Sequence, residues 1–287
     1  MTRLSFGIKT APQHTTYPAM LAVWQAADAT PVFEHAWLFD HFNPIAGDLD
    51  GPCYEGWTTL AALAAQTQRI RLGLMVTGNT YRHPAVLAHI AATLDVISNG
   101  RLDLGLGAGW NEYEHRSMGI PLYPPGERIE RFGEACELIK RLFTQPIADF
   151  DGQFYQLQEA RCDPKPVQQP YPPFVIGGGG ERRTLRVVAQ YADVWNFAGG
   201  PVEDFTHKVE VLKRHCEAVG RDPSTIQLSV QTMVNYDNFG ETIQTLQGFV
   251  DAGATHLILN LRYPYPENII ERLATELVPH VTVQNLQ

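Results

Sequence analysis

The feature of this chain that most constrains its fold is a regular alternation of short β-rich runs with longer helical patterns. Eight runs have strand character, at positions 4–8, 35–39, 70–76, 101–107, 173–177, 192–197, 226–230 and 255–260. Helical periodicity recurs between them, and the helical segments at 203–220 and 240–253 end at glycines. Eight such βα units predict a parallel (β/α)8 TIM barrel. A doubly wound open sheet is the alternative, because a count of strands does not prove closure.

The strand runs are nearly continuous in apolar residues, which is typical of a parallel sheet covered on both faces. Residues 144–172 break the rhythm, since they are rich in proline and aromatic residues and contain the hairpin-like sequence FDGQFYQL. We expect an insertion here, over the mouth of the barrel. No linker or shift in composition divides the chain, so residues 1–287 are predicted to form one domain.

Charge and composition exclude several classes of function. The formal net charge is −9 and the basic residues are scattered, so nucleic acid is not an expected partner. No run approaches the ~18 apolar residues of a membrane helix, and no signal peptide is evident at the start, so we expect a cytoplasmic protein that does not enter the membrane. The four widely spaced cysteines are predicted to be reduced and mostly structural.

Polar residues at the carboxyl ends of the strands are the first candidates for chemistry, because a parallel barrel forms its active site there. Asp40 and His41 follow the second strand run. A histidine exchanges protons near neutral pH, and a neighbouring carboxylate can orient it or hold its charge. The alternative is a loop histidine beside a turn-capping aspartate. A metal site is less favoured, because no third ligand lies at a short spacing.

The third strand run ends in the turn-forming residues Thr77, Gly78 and Asn79. A glycine at a strand end often marks a bulge or a close approach of the backbone. An ordinary loop is the alternative at this position.

The fourth strand run ends in GLGAGWN, which begins like a dinucleotide fingerprint at Gly105 and Gly107. Trp110 occupies the position of the third glycine, so the fingerprint fails. Trp110 and Asn111 offer a flat face and an amide suited to lining a ring-shaped ligand. Core packing of Trp110 is the alternative.

Four consecutive glycines, residues 177–180, follow the fifth strand run and precede a helical pattern. Neither the dinucleotide fingerprint nor the P-loop pattern fits them, since Arg182 and Arg183 follow. A strand before and a helix from Glu181 favour a phosphate cradle of backbone amides over a flexible linker, with an arginine in reach. Arg182, Arg183 and Arg186 are alternatively solvated charges on the helix.

Taken together, these segments resemble the bacterial luciferase-like monooxygenase family, and in particular its deazaflavin (coenzyme F420)-dependent oxidoreductases. The resemblance spans nearly the whole chain and is carried by five stretches in order: WLFDHF, RIRLGLMVTGNTYRHPAVLA, TLDVISNGRLDLGLGAGWNEYEH, GERIERFGEACELIKRLF and PPFVIGGGGERRTLRVVAQYADVWN. The family fold is a (β/α)8 barrel with an insertion, in agreement with the strand pattern.

The resemblance implies roles for individual residues. Family members hold a flavin or deazaflavin ring against a bulge in the third strand, often with a non-proline cis peptide, and the cofactor phosphate on the glycine segment. By motif, His41 would be catalytic. The residues implied in cofactor binding are Asp40, Leu74, Met75, Val76, Thr77, Asn79, Ala108, Gly109, Trp110, Asn111, Gly177, Gly178, Gly179 and Gly180.

Two positions depart from the family's sugar-phosphate dehydrogenases. Their catalytic glutamate after the GTG motif is here Trp110, and their tryptophan after the HF-x-P motif is here Ile45. Both departures argue against a sugar phosphate as substrate. Glu112 lies nearby, but its spacing does not make it a replacement.

The first hypothesis is therefore an F420-dependent oxidoreductase that moves hydride between the cofactor and a small organic substrate, with His41 handling a proton. FMN as the cofactor of a monooxygenase is the second hypothesis. A cofactor-binding barrel without activity is the third, because a fold does not guarantee chemistry. The resemblance also allows a homodimer, and the insertion and strand-end loops are expected to select the substrate.

Overall fold

A computed structural model describes residues 3–283 of the chain. The strands are β1 (Ser5–Thr10), β2 (Phe33–Leu38), β3 (Arg71–Leu74), β4 (Thr77–Gly78), β5 (Leu102–Gly107), β6 (Ala148–Asp151), β7 (Gln156–Ala160), β8 (Phe174–Gly177), β9 (Val194–Phe197), β10 (Gln227–Met233) and β11 (His256–Leu261). The α-helices are α1 (Tyr17–Ala29), α2 (Gly56–Ala64), α3 (Pro84–Ile97), α4 (Glu112–Met118), α5 (Pro125–Thr144), α6 (Thr184–Tyr191), α7 (Val202–Val219), α8 (Phe239–Asp251) and α9 (Ile269–Arg272). A π-helical turn and a 3₁₀ turn extend α9 to His280.

The predicted barrel is confirmed. Strands β1, β2, β3 with β4, β5, β8, β9, β10 and β11 pair in parallel, in the order β3-β2-β1-β11-β10-β9-β8-β5. Pairing of β3 with β5 closes the ring, which excludes the open doubly wound sheet. Each predicted strand run is found, although the third is divided into β3 and β4 by Met75 and Val76.

Apolar side chains fill the layer between the strands and the surrounding helices. The largest buried side chains include Trp24, Phe33, Phe132 and Phe205. Inside the ring the apolar cluster is small, being Trp37, Met75, Val175, Val194 and Ile258. The barrel interior therefore leaves room for polar side chains and for a cavity at one end.

The predicted insertion is an antiparallel hairpin of β6 and β7. It lies against α5, where the Glu134 carboxylate accepts hydrogen bonds from the backbone of Gln153, Phe154 and Tyr155. Residues 144–172 are absent from the lining of the cavity of about 490 Å3 that lies at the carboxyl ends of the barrel strands. Only the tip reaches the carboxyl ends of the strands, where the Tyr155 hydroxyl accepts a hydrogen bond from Asn79.

The structure also bears on the cysteines and on membrane-spanning helices. All four cysteines are free thiols, and three of them, Cys136, Cys162 and Cys216, are buried. Within residues 3–283, none of the helices combines the length and apolar character required to cross a membrane.

Candidate active site

A cavity of about 490 Å3 opens at the carboxyl ends of the barrel strands. The central cavity, as we call it, is lined by eight of the fifteen residues to which the resemblance assigns a catalytic or cofactor-binding role: His41, Met75, Val76, Ala108, Gly109, Trp110, Gly177 and Gly178. These residues follow four different strands of the ring. Barrel closure thus gathers segments that are far apart in the chain around one space.

His41 lies in the wall of this cavity and is held from behind by Glu114, the third residue of α4. The His41 Nδ1 atom is 2.7 Å from Glu114 Oε2, and the Tyr81 hydroxyl donates to the same oxygen at 2.7 Å. The other oxygen, Oε1, accepts from the backbone N–H groups of Phe42 and Asn43 at 2.6 and 3.0 Å. The carboxylate therefore fixes both the ring and the loop that carries it.

The pKa values of Glu114 and Tyr81 follow from burial and from the hydrogen bonds that the two residues make. Burial alone would raise the pKa of Glu114, but the bonds from His41 and Tyr81, the charge of His41 and the backbone N–H of Asn43 together lower it to about 2. Burial and the neighbouring Glu114 raise the pKa of Tyr81 well above its ordinary value. At neutral pH, Glu114 is an anion and Tyr81 a neutral donor.

Asp40 lies behind the cavity wall rather than in it. Its carboxylate is fully buried and receives both guanidinium arms of Arg82, at 2.5 and 3.1 Å. Arg82 also pairs with Glu55, the residue before α2. Burial raises the pKa of Asp40, and the charge of Arg82 opposes that rise. Asp40 thus anchors the loop that carries His41.

The break in the third strand coincides with a cis peptide bond between Met75 and Val76, inside the segment where the resemblance implied one. Space for it comes from β5, because a Cβ on Gly105 would lie 1.7 Å from the carbonyl oxygen of Leu74, and a Cβ on Gly107 2.6 Å from Val76. The glycines of the GLGAG sequence thus admit the bulge.

Three of the residues named around the bulge are buried behind it. Leu74 packs in the core, Thr77 accepts a hydrogen bond from the Trp57 indole at 2.9 Å, and Asn79 donates to Tyr155. None of these three lines the central cavity.

Trp110 stands at the rim of the cavity and is 59% exposed, which excludes core packing. Its ring meets the His41 ring edge to face, with centroids 5.6 Å apart. Asn111 instead caps α4, where its side chain accepts from the N–H groups of Tyr113 and Glu114. The flat face is therefore available to a ligand, whereas the amide is used within the protein.

The glycine segment forms the opposite wall. Gly177 and Gly178 line the central cavity, and Gly179 and Gly180 lie farther out. Carbonyl groups of the segment are turned into the protein, since Gly178 accepts from the Trp195 indole at 2.7 Å and Gly179 from Lys208 at 2.9 Å. The carbonyl of Gly180 accepts the N–H of Leu185.

Two details of the glycine segment differ from the sequence-based expectation. Helix α6 begins at Thr184 rather than at Glu181, because residues 181–183 form a turn. The neighbouring cation is Lys208 from α7, while Arg183 pairs with Glu130. The arginine that we expected beside the glycines does not line the cavity. Arg182 and Arg186 are exposed, in agreement with the alternative that they are solvated charges.

The floor of the cavity is polar and was not found from the sequence. Lys9 of β1 donates to the side-chain oxygen of Gln231 at 2.8 Å, and Gln231 donates to Asn196 at 3.1 Å. Asn196 in turn donates to Ser229, which bonds His256. Side chains alternate between the two faces of a strand, and a lysine within the apolar run LSFGIKT was the available signal for this floor.

Glu114, Tyr81 and Arg82 were also missed, because their partners are distant in sequence. Glu114 bonds His41 across 73 positions, and Arg82 meets Asp40 across 42. Glu114 shares the first turn of the short helix α4 with Glu112, and acidic residues there have a local explanation as helix-stabilising charges. The sequence spacing does not distinguish a helix-stabilising charge from a carboxylate that bonds His41.

The chemistry of the lining suits a planar ligand. Trp110 and the bulge offer apolar surfaces, the glycine segment offers backbone amides, and an imidazole such as that of His41 is a group that can give or take a proton. Within residues 3–283, no group of three or more ligating side chains is arranged to hold a metal ion.

The chain is similar to proteins of a known family. The family model described as luciferase-like monooxygenase matches residues 4–256. An uncharacterized protein of Mycobacterium tuberculosis is 31% identical over 246 residues, which cover 82% of each chain. An F420-dependent glucose-6-phosphate dehydrogenase of Kineococcus radiotolerans is 29% identical over 237 residues, 82% of this chain and 68% of that protein.

The solved structures that resemble this chain include an F420-dependent secondary alcohol dehydrogenase in complex with an F420–acetone adduct. It superposes with a TM-score of 0.87 at 18% identity, over 98% of this chain and 99% of the other. At that identity the likeness establishes a common fold. The match of the family model over most of the chain establishes more: the chain belongs to the luciferase-like monooxygenase family of oxidoreductases.

Proposed function

We propose that this protein is a deazaflavin (coenzyme F420)-dependent oxidoreductase acting on a small organic substrate. The observation that carries the proposal is His41, held by Glu114 and Tyr81 in a cavity wall that faces the glycine segment. Two of the similar proteins named above are F420-dependent dehydrogenases by name, which supports the choice of cofactor. When bound, the deazaflavin supplies the hydride chemistry.

The residues present are compatible with such a cofactor. A side chain on either of two glycines would crowd its neighbour, since a Cβ on Gly177 would lie 3.1 Å from Val76 and a Cβ on Gly178 would lie 3.1 Å from Thr184. With the carbonyls of Gly178, Gly179 and Gly180 bonded inside the protein, the backbone N–H groups of Gly179 and Gly180 have no partner among the described residues. Such free N–H groups suit a phosphate oxygen. The bulge and Trp110 would hold the ring.

His41 is proposed to give or take the proton that balances hydride transfer. Its Nδ1 atom is engaged by Glu114, so Nε2 is the nitrogen left for the substrate. The ionised carboxylate stabilises the positive charge that the ring gains when it takes a proton. Tyr81 holds the same carboxylate, which keeps the imidazole in one orientation during turnover.

The alternative cofactor is FMN, in a monooxygenase. It is supported by the family model that the chain matches, which is described as luciferase-like monooxygenase. Purified protein should be titrated with F420 and with FMN, with binding followed by quenching of tryptophan fluorescence. We expect tighter binding of F420, and tight FMN binding with no F420 binding would contradict the proposal.

Turnover separates an enzyme from a cofactor-binding barrel. The protein loaded with F420 should be mixed with a panel of alcohols, aldehydes and ketones, and the absorbance of the cofactor followed. Oxidation or reduction of F420 by one class of substrate is the expected result. Cofactor binding without turnover across the whole panel would identify an inactive barrel.

A further inference from the structure

A second cavity, of about 390 Å3, lies beside the central one at the same end of the barrel. The two share Lys9, Phe39 and Ile45 in their walls. The side cavity, as we call it, is bounded by the loop after β1, the loop after β2 and the end of β11. A molecule in the side cavity would therefore adjoin one in the central cavity, with only these three side chains at the boundary.

Lys9 is the dominant polar group of this boundary. Its ammonium donates one hydrogen bond, to Gln231, and an ammonium has three N–H donors. The Gln231 oxygen that accepts from Lys9 is held in place because the Gln231 amide nitrogen donates to Asn196. Burial lowers the pKa of Lys9 to about 8. Lys9 thus carries a charge at neutral pH with donors left to use.

Among residues 3–283, no acidic residue lines the side cavity, whereas two cations, Lys9 and Arg262, do. Two further polar groups in its lining have atoms without a hydrogen-bond partner, the Asn260 side-chain oxygen and His14 Nε2. Because a partly buried cation such as Lys9 is costly when it is not paired, the charge balance of the cavity favours an anion.

Most of the rest of the lining is apolar; the exceptions are Gln13, whose side-chain amide is bonded to the backbone of Ala46 and Ile45, and Tyr263. Phe39 and Ile45 face the cavity near Lys9, and Met233 and Leu261 lie on the strands opposite. Such a wall suits a hydrocarbon body rather than a sugar or a second phosphate. A carboxylate with an apolar body matches both halves of this surface, since it brings one negative charge and buries its carbon chain.

We propose that the side cavity is the substrate subsite, and that it takes a small organic carboxylate whose charged group binds Lys9. The inference rests on the proposed function, because it assigns the central cavity to the cofactor and the side cavity to the substrate. It adds a substrate class and a binding residue, Lys9, on β1.

The test uses three ligands of equal length that differ in charge: hexanoate, hexanamide and hexylamine. Binding of each to the purified full-length protein is measured by calorimetry at about pH 7. We expect hexanoate to bind at least ~10-fold more tightly than hexanamide, and hexylamine not to bind. The preference should fall as the pH rises through about 8, because Lys9 then loses its proton.

The variant Lys9→Met keeps the length of the side chain and removes its charge. We expect it to bind hexanoate and hexanamide equally. Lys213→Met is the matched control, because Lys213 is exposed on α7 and pairs only with Glu210. It should retain the wild-type preference. A circular dichroism melt of each variant verifies that it is folded before binding is measured.

Two results would overturn the inference. The first is that hexanoate binds no better than hexanamide, which includes no detectable binding of either ligand. The second is that Lys9→Met keeps the wild-type preference for hexanoate. F420 binding by the wild-type protein is measured in parallel. Carboxylate binding without F420 binding would contradict the proposed cofactor while supporting the subsite. F420 binding without a preference for the carboxylate would support the proposed cofactor and contradict the subsite.

Discussion

Glu114 and His41 are 73 positions apart in the chain, yet Glu114 Oε2 lies 2.7 Å from His41 Nδ1. The same carboxylate accepts the backbone N–H groups of Phe42 and Asn43 through its other oxygen. One buried anion therefore joins α4 to the loop after β2. The position and the charge environment of the proposed proton-transferring residue depend on it.

Replacement of His41 by alanine is expected to lower kcat by roughly 100- to 10,000-fold, the usual contribution of a general acid or base. Cofactor affinity should change little, because the glycine segment and the bulge remain. The measurement is the rate of cofactor absorbance change with an active substrate, together with a fluorescence titration. His89→Ala, at an exposed histidine of α3, serves as control and should keep full activity. Unchanged turnover in His41→Ala would remove His41 from the mechanism.

Replacement of Glu114 by glutamine is expected to alter how stability depends on pH. The pKa of Glu114 is about 2 in the folded protein and 4.5 ordinarily, so the ionised carboxylate stabilises the fold above pH 4.5. That contribution is lost as the pH falls toward about 2. The variant should therefore unfold at lower urea concentration than wild type at about pH 7, with the difference shrinking at about pH 3.

Glu210→Gln provides the control for this experiment, since Glu210 is exposed on α7 and pairs with Lys213. Its urea midpoint should stay close to wild type at both pH values, because exposed ion pairs contribute little. A difference between Glu114→Gln and wild type that stays constant from about pH 7 to about pH 3 would contradict the assignment of the low pKa.

Replacement of Gly178 by alanine is expected to weaken cofactor binding by at least ~10-fold. Its φ of +123° is rarely adopted by residues with a side chain, and the added Cβ would lie 3.1 Å from Thr184. Gly220→Ala is the matched control, at a φ of +71° with no atom within 4 Å of the added Cβ. Both variants should lose about 1–2 kcal/mol of stability. Equal cofactor affinity in the two variants would contradict the phosphate cradle.

The architecture could be predicted from the chain because it depends on local pattern. A run such as IRLGLMV is apolar whichever partner it meets, and eight of them with intervening helices favour one closed parallel arrangement. The details that the sequence did not show depend on tertiary contacts. The hairpin of β6 and β7 lies beside the barrel because Glu134 of α5 binds its turn, and no pattern within 144–172 records that partner.

The part of the candidate site that depends on local sequence could also be predicted. Residues next to a strand end, such as His41 and Gly177, could be named as candidates because their position in the βα unit places them at the cavity that they line. Residues that act through a distant partner were not, as with Glu114 and Arg82. Lys9 lies between these cases, because the predicted first strand run ends one position before it, at residue 8, while its direction into the barrel depends on the register of β1.

Replacement of Arg82 by methionine should be among the most destabilising single changes near the site. It would leave the fully buried carboxylate of Asp40 without its cation, and loss of one partner from a buried pair costs about 3–5 kcal/mol. Burial already raises the pKa of Asp40, and Arg82 opposes that rise, so the variant should raise this pKa further. A carboxyl group whose pKa is raised on folding destabilises the folded state at higher pH, where the unfolded chain is ionised.

The loss in Arg82→Met should therefore be larger at about pH 7 than at about pH 4, as measured by urea unfolding. The double variant Asp40→Asn with Arg82→Met removes the unpaired charge and should recover part of the stability at neutral pH. Arg141→Met is the control, because Arg141 forms a partly exposed pair with Glu137 one helical turn away, and it should cost no more than ~0.5 kcal/mol. If the double variant were no more stable than Arg82→Met alone, the buried charge of Asp40 would not be the cause, and the packing of the arginine side chain would have to account for the loss.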